Sequence, residues 1–166
     1  MKRIIFSLIA ASVVLASTLV FAGSAADEVT VTDAYARAVP PGQPNSASFM
    51  LLSNDSATGH AVVAAESSVS KVAELHTHTM SEGMMKMRQV EKIEIPAKGV
   101  TRLEPGGLHV MLIGLTQNLK PGDEVALTLV FEDGSKIMTN VPVQRQQMKM
   151  MMKHDMGGMD HGKMNQ

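Results

Sequence analysis

Turn-forming clusters cut this chain into short pieces, and no piece carries the periodicity of a substantial helix. Pro40-Pro41-Gly42-Gln43-Pro44-Asn45, Asn54-Asp55, Pro96, Pro105-Gly106-Gly107 and Lys120-Pro121-Gly122-Asp123 recur from residue 40 onward. Proline removes a backbone donor and glycine reaches turn conformations, so such clusters end regular elements. Apolar or alternating runs lie between them, at 29–36, 46–52, 61–65, 72–78, 84–89, 93–95, 100–103, 110–115, 125–131 and 136–143. Glu132-Asp133-Gly134-Ser135 separates the last two and reads as a hairpin turn. Many short strands with this punctuation predict an antiparallel β-sandwich or small barrel.

The two ends are of other kinds. Lys2 and Arg3 precede an apolar stretch from Ile4 to Val20, and small residues run from Ala22 to Ala26. A positive start, an apolar centre and a small-residue zone read as a secretory signal peptide over residues 1–26, cleaved within one to three positions of Ala26. The apolar stretch is short for a membrane span, so no stable insertion is expected after cleavage. The folded domain is expected at 27–143. Residues 144–166 hold seven methionines and two histidines, with no branched aliphatic and no aromatic residue. Such a segment cannot build a core and is expected to stay disordered without metal.

The chain has no cysteine. No disulfide supports the fold, and about 140 mature residues can bury a sufficient core without one. A blue-copper electron-transfer centre, which needs a thiolate, is excluded, as is thiol redox chemistry. Net charge is −1, and loss of Lys2 and Arg3 leaves 13 basic against 16 acidic residues. Aromatic residues are 3%, and no basic face is evident, so nucleic-acid binding is unsupported.

Four residues stand out against this background: His76, Met87, His109 and Met111. Two imidazoles and two thioethers form a soft, neutral donor set that favours Cu(I) among the common biological metals. His109 and Met111 are two apart on an expected strand, so their side chains share a face. Two turn signals lie between Met87 and His109, which lets the two halves fold back together. A single methionine is more often adaptable core packing, and a lone histidine is more often structural; the joint spacing argues for a metal site. His78 could share the face of His76, and Met85 that of Met87. Met80, Met84 and Met85 read more simply as loop residues, and His60 as a surface residue.

The chain resembles the periplasmic copper chaperones of the PCu(A)C type, whose ligand motif is His, ten residues, Met, twenty-one residues, His, one residue, Met. Here it falls on His76, Met87, His109 and Met111 without a spacing change. The flanking segments are also similar: Val31 to Arg37, Glu74-Leu75-His76-Thr77, Met85-Lys86-Met87-Arg88 and Leu103 to Leu112. His78, within the first segment, departs from the pattern and offers an alternative ligand. The resemblance implies a cupredoxin-like Greek-key β-sandwich that binds Cu(I) and delivers it to the dinuclear copper site of cytochrome c oxidase, directly or through a thiol-bearing Sco-type partner. It implies a periplasmic, non-enzymatic protein, expected as a monomer. Members with a Met/His-rich extension are thought to bind further copper, and here His154, Met156, Met159, His161 and Met164 would do so. Their thioethers suit Cu(I), and His and Asp could also hold Cu(II). The alternative reading is a copper-sequestering tolerance protein, which would hold the metal without delivering it. A copper oxidase is disfavoured, because no His-dominated site or paired-carboxylate pattern stands out.

Overall fold

The computed structural model describes residues 23–81 and 83–145. The expected signal segment therefore lies outside the described residues up to Phe21-Ala22, and the Met/His-rich tail lies outside them from residue 146. Among the described residues the order is α1 (Ala25–Glu28), β1 (Val29–Arg37), β2 (Asn45–Asn54), β3 (His60–Ser67), β4 (Ser70–Ser81), β5 (Met84–Gln89), β6 (Ile93–Ile95), β7 (Gly99–Leu103), β8 (His109–Leu115), β9 (Glu124–Phe131) and β10 (Lys136–Gln144). Every strand expected from the turn signals forms. β4 runs three residues further than expected, and β10 one residue past the expected domain end.

The strands lie in the order β5-β4-β8-β2-β1-β10-β9-β3-β6, and β7 also pairs with β2. β2 divides one edge between two partners. Asn45 to Ser48 pair with β8, and Met50 to Asn54 pair with β7. β1 covers its other edge, with a register shift between Thr32 and Tyr35 where Asp33 takes a positive φ of 52°. Such a bulge re-aims the strand, and it leaves Tyr35 opposite Phe49. Pairing between the named strands is antiparallel, except where β1 meets β10 in parallel at Ala36↔Val143 and Arg37↔Gln144. That short junction joins the two leaves of the sandwich.

Alternation sorts the side chains. Leu75 of β4, Val110 and Leu112 of β8, and Met50 and Leu52 of β2 face inward. They meet Val125, Leu127, Leu129 and Phe131 of β9, Val62 of β3, Ile93 and Ile95 of β6, and Val141 and Val143 of β10. Each fully buried aliphatic side chain contributes about 1.5–3 kcal/mol relative to exposure. This one apolar layer is what holds the leaves together, since no disulfide does.

The N-terminal turn is pinned to the β9–β10 hairpin. Ala25 is fully buried, its N–H donates to Asp133 Oδ2 at 2.8 Å, and the Ala26 N–H donates to Ser135 Oγ at 3.0 Å. The Ser135 hydroxyl, with the Ala25 and Ser135 N–H groups, holds the Asp133 carboxyl down at about 2. His60, read from sequence as a surface residue, is instead the centre of this end. Its Nδ1 lies 2.8 Å from Glu132 Oε1 and its Nε2 lies 2.8 Å from Glu28 Oε2, with the side chain 8% exposed. Both ring nitrogens face carboxylates, which suits the doubly protonated ring. The bond to Glu28, then that to Glu132, raises the His60 pKa above its ordinary value. Glu28 is lowered by its bonds to Ser56 and then His60. Burial pushes Glu132 upward, but the Ala61 N–H and His60 outweigh it and leave the group lowered.

These shifts fix a stability window. A raised imidazole pKa stabilises the fold below about 6.5, and that contribution is lost as pH rises through the folded value. Lowered carboxylate values stabilise above about 4.3, and that contribution is lost as pH falls through the folded values. Thermal melts of His60→Gln should therefore fall below wild type by roughly 3–8 °C, with the gap widest between about pH 5 and 6.5 and narrowing in alkaline buffer. A gap independent of pH would contradict an ionic clamp.

Candidate metal centre

The site is set by the register of three strands. Side chains at i and i+2 share a face, so Glu74, His76 and His78 of β4 point together, away from the core that takes Leu75. Across the ladder Glu74 lies opposite Met111 and His76 opposite His109, both on β8. On the other edge His78 lies opposite Met87 of β5. Directly opposed residues have Cβ atoms about 4.5–5.5 Å apart. The four residues singled out from sequence thus fall on one face of three adjacent strands. The partner of His76 on β5 is Gln89, so Met87 reaches toward His76 on the diagonal and meets His78 directly.

The rings confirm this arrangement. His109 lies 5.9 Å from His76 and 5.1 Å from His78, centroid to centroid. Phe49 lies 6.1 Å away on the remaining side, itself stacked 5.2 Å from Tyr35. A pocket of about 240 Å³ opens here, lined by His78, Met85, Met87, His109 and Met111 with Phe49 and Arg37. His76 touches the cluster through His109 but is not on the pocket wall. A larger cavity of about 530 Å³ adjoins His60, where both ring nitrogens already face carboxylates.

Hydrogen bonds define the free nitrogen of two of the three imidazoles. His109, 1% exposed, places Nδ1 3.0 Å from the Gly107 carbonyl. A carbonyl only accepts, so Nδ1 carries the proton and Nε2 keeps its lone pair. His76 places Nε2 2.8 Å from Glu74 Oε2, which puts the proton there and leaves Nδ1 bare. That Nδ1 is buried without a partner, as is Nδ1 of His78. Buried polar atoms are rarely left unpaired, and a bare imidazole nitrogen backed by a carboxylate on the other nitrogen is the usual form of a metal-binding histidine. Sequence reasoning missed Glu74, although its two-residue spacing from His76 was the available signal. His78, read from sequence as an alternative ligand, lines the pocket, and so does Met85, which was read as a loop residue and lies on β5.

Charge in the site is low. Among the described residues no group of three or more His, Cys, Asp or Glu could hold a metal, so a cage for a hard cation is absent and the sulfurs would have to contribute. Burial lowers the His109 pKa, the bond to Gly107 opposes this, and the His78, His76 and Arg37 charges lower it further. His109 therefore stays neutral, as a ligand must.

An all-β sandwich with a histidine and thioether pocket on the outer face of one leaf defines the class. The chain belongs to the LpqE-like family: the model described as "Putative lipoprotein LpqE-like" matches residues 29–143. A curated relative, "Putative lipoprotein Lxx21020" of Leifsonia xyli subsp. xyli (strain CTCB07), is 35% identical over 74% of this chain and 73% of its own length. Among solved structures, CuI-DR1885 from Deinococcus radiodurans is 35% identical, with a TM-score of 0.59 over 74% of this chain and 83% of that one. The copper-bound PCuAC domain from PmoF2 shares the fold at 20% identity, with a TM-score of 0.62 over 74% of this chain and 97% of that one.

The opposite shifts of two histidines provide a check on this geometry. In metal-free protein the imidazole carbon-bound protons of His109 should titrate below the ordinary range near 6.5 and those of His60 above it. Proton NMR between pH 4 and 9 reads both, and a His109 titrating at the ordinary value would mean that the ring is not buried against Phe49.

Proposed function

We propose that this protein is a copper metallochaperone of the cell envelope that holds Cu(I) through His76, Met87, His109 and Met111. The observation carrying this reading is the register that opposes His76 to His109 and lays Met87 and Met111 on the same face. Two neutral nitrogens and two thioethers suit a soft monovalent ion. The Arg37 guanidinium at the pocket wall disfavours a second positive charge on the metal, which supports Cu(I) over Cu(II). The related Deinococcus protein was solved in its Cu(I) form. The fold neighbour from PmoF2 was solved with copper.

Delivery is to the dinuclear copper site of cytochrome c oxidase subunit II, directly or through a Sco-type protein. Support comes from the position of the site: it is on the outer face, and Met87 is 45% exposed, so an acceptor's ligands can reach the ion. The protein works by binding and transfer and has no turnover of its own. Export through the leader is consistent with envelope relatives described as lipoproteins. Burial of Ala25 supports cleavage at the upstream end of the expected range. The tail, with His154, Met156, Met159, His161 and Met164, binds additional copper and feeds the main site by raising local concentration.

Cu(I) titration of the full chain against a competing chromophoric chelator tests the main site. His109→Ala and Met111→Ala should each weaken it at least tenfold, and Glu74→Gln, which leaves His76 without its carboxylate, by about 10–100-fold. X-ray absorption should show sulfur in the shell, and a shell without sulfur would overturn the assignment. Cutting the chain after Arg145 should lower copper stoichiometry, and an unchanged stoichiometry would remove the tail from the mechanism. Cu(I)-loaded protein mixed with the copper-free soluble domain of oxidase subunit II should give up its ion, whereas retention would favour sequestration.

A further inference from the structure

The face that carries the site continues outward along the β4–β5 hairpin. The pairing runs His76↔Gln89, His78↔Met87 and Met80↔Met85. Alternation puts Met80 on the face of His76 and His78, and Met85 on the face of Met87. Successive same-face rows are about 6.5–7 Å apart, so the Met80/Met85 row stands one step beyond His78/Met87. Met85 lines the same pocket as Met87. Both outer methionines are open to solvent, Met80 at 69% and Met85 at 62%. Methionine's common role is to fill core gaps, and side chains this exposed fill none. β5 pairs only with β4 among the described residues, so the row lies at an open edge that another protein can approach.

We propose that Met80 and Met85 form an outer thioether station for a soft monovalent cation, through which the ion enters and leaves the inner site. This rests on the reading of the cargo as Cu(I). Two opposed sulfurs without nitrogen or charge bind such an ion more weakly than the inner set, which is what a transit point requires. An ion held there is one row from His78 and Met87, so ligand exchange proceeds one donor at a time without release to water. The donors then grade from buried imidazole at His109 to exposed thioether at the tip. Met84 supplies an internal control. It is 58% exposed but pairs with Ser81 and so points to the other face.

Two measurements on the full chain test this. With methionine methyls labelled, Ag(I) serves as the spectroscopically silent stand-in for Cu(I). Met80 and Met85 methyl signals should shift together with those of Met87 and Met111, while Met84 stays in place. In stopped-flow transfer of Cu(I) to bicinchoninate, Met80→Leu/Met85→Leu should slow exchange about fivefold or more while changing inner-site affinity less than about twofold, as a change confined to on- and off-rates does. Met84→Leu should leave both unchanged. Shifts at Met87 and Met111 with Met80 and Met85 unmoved, or wild-type exchange in the double variant, overturn the outer station and leave the inner site standing. Shifts at Met80 and Met85 alone would keep the station and refute the inner assignment. No shift at any of the four refutes both.

Discussion

Everything at the candidate metal centre depends on the ladder that β4 makes with β8 on one edge and β5 on the other. Side chains alternate with period two, so a one-residue slip would carry Glu74, His76 and His78 into the core and push Leu75 out. The penalty for that slip sets the register. Leu75 is 3% exposed and packs with Val110 and Leu112, both fully buried, and three carboxylate or imidazole groups could not replace them there without partners. Gly114 reinforces the end of the β8 ladder. It takes a positive φ of 67°, its N–H donates to Asn45 Oδ1, and a Cβ there would meet the Lys71 side chain at 3.2 Å. The apolar side of the leaf thus aligns donors on the polar side that it never touches.

Much of this was legible in the chain because glycine and proline act locally. A Pro-Gly cluster tends to end a strand whatever surrounds it, and the strands on either side of such clusters formed as expected, whereas β3 and β4, and β5 and β6, are separated without proline or glycine. The His109–Met111 pair was equally legible, since two-residue spacing on a strand means a shared face. What sequence could not supply was cross-strand pairing. An expected strand end at His78 leaves a loop of five residues before Met84, and the opposition of His78 to Met87 follows only because β4 continues to Ser81 and the connection is short. His60 escaped for a similar reason. Its carboxylates lie 32 and 72 residues away in the chain, and no local pattern announces such a pairing.

The site and the His60 clamp use the same side chain in opposite ways. At His60 both nitrogens face carboxylates, which favours the charged ring and leaves neither nitrogen open to a metal. At His76 one carboxylate takes Nε2 and leaves Nδ1 free, and at His109 a neutral carbonyl does the same for Nδ1 while burial keeps the ring uncharged. The number and charge of hydrogen-bond partners decides which histidine is structural and which can ligate. A count of histidines cannot make that distinction.

A carrier must hold an ion firmly and still surrender it, and one uniform donor shell does both badly. The gradient on this face separates the two demands. His109 sits innermost, buried against Phe49, and the hydrogen bonds of His76 and His109 fix which nitrogen of each ring is free. The thioethers of Met80 and Met85 sit outermost, uncharged and insensitive to pH, at the open edge of the sheet, while Met111 stays half-buried at the opposite end of the face. Met87 belongs to both ends, lying opposite His78 and one same-face row from Met85, and in the proposed carrier it is the donor at which tight binding would give way to exchange. The two-residue period of a β-strand builds this gradient directly, since each step along β4 and β5 moves a donor one row outward without turning it from the face.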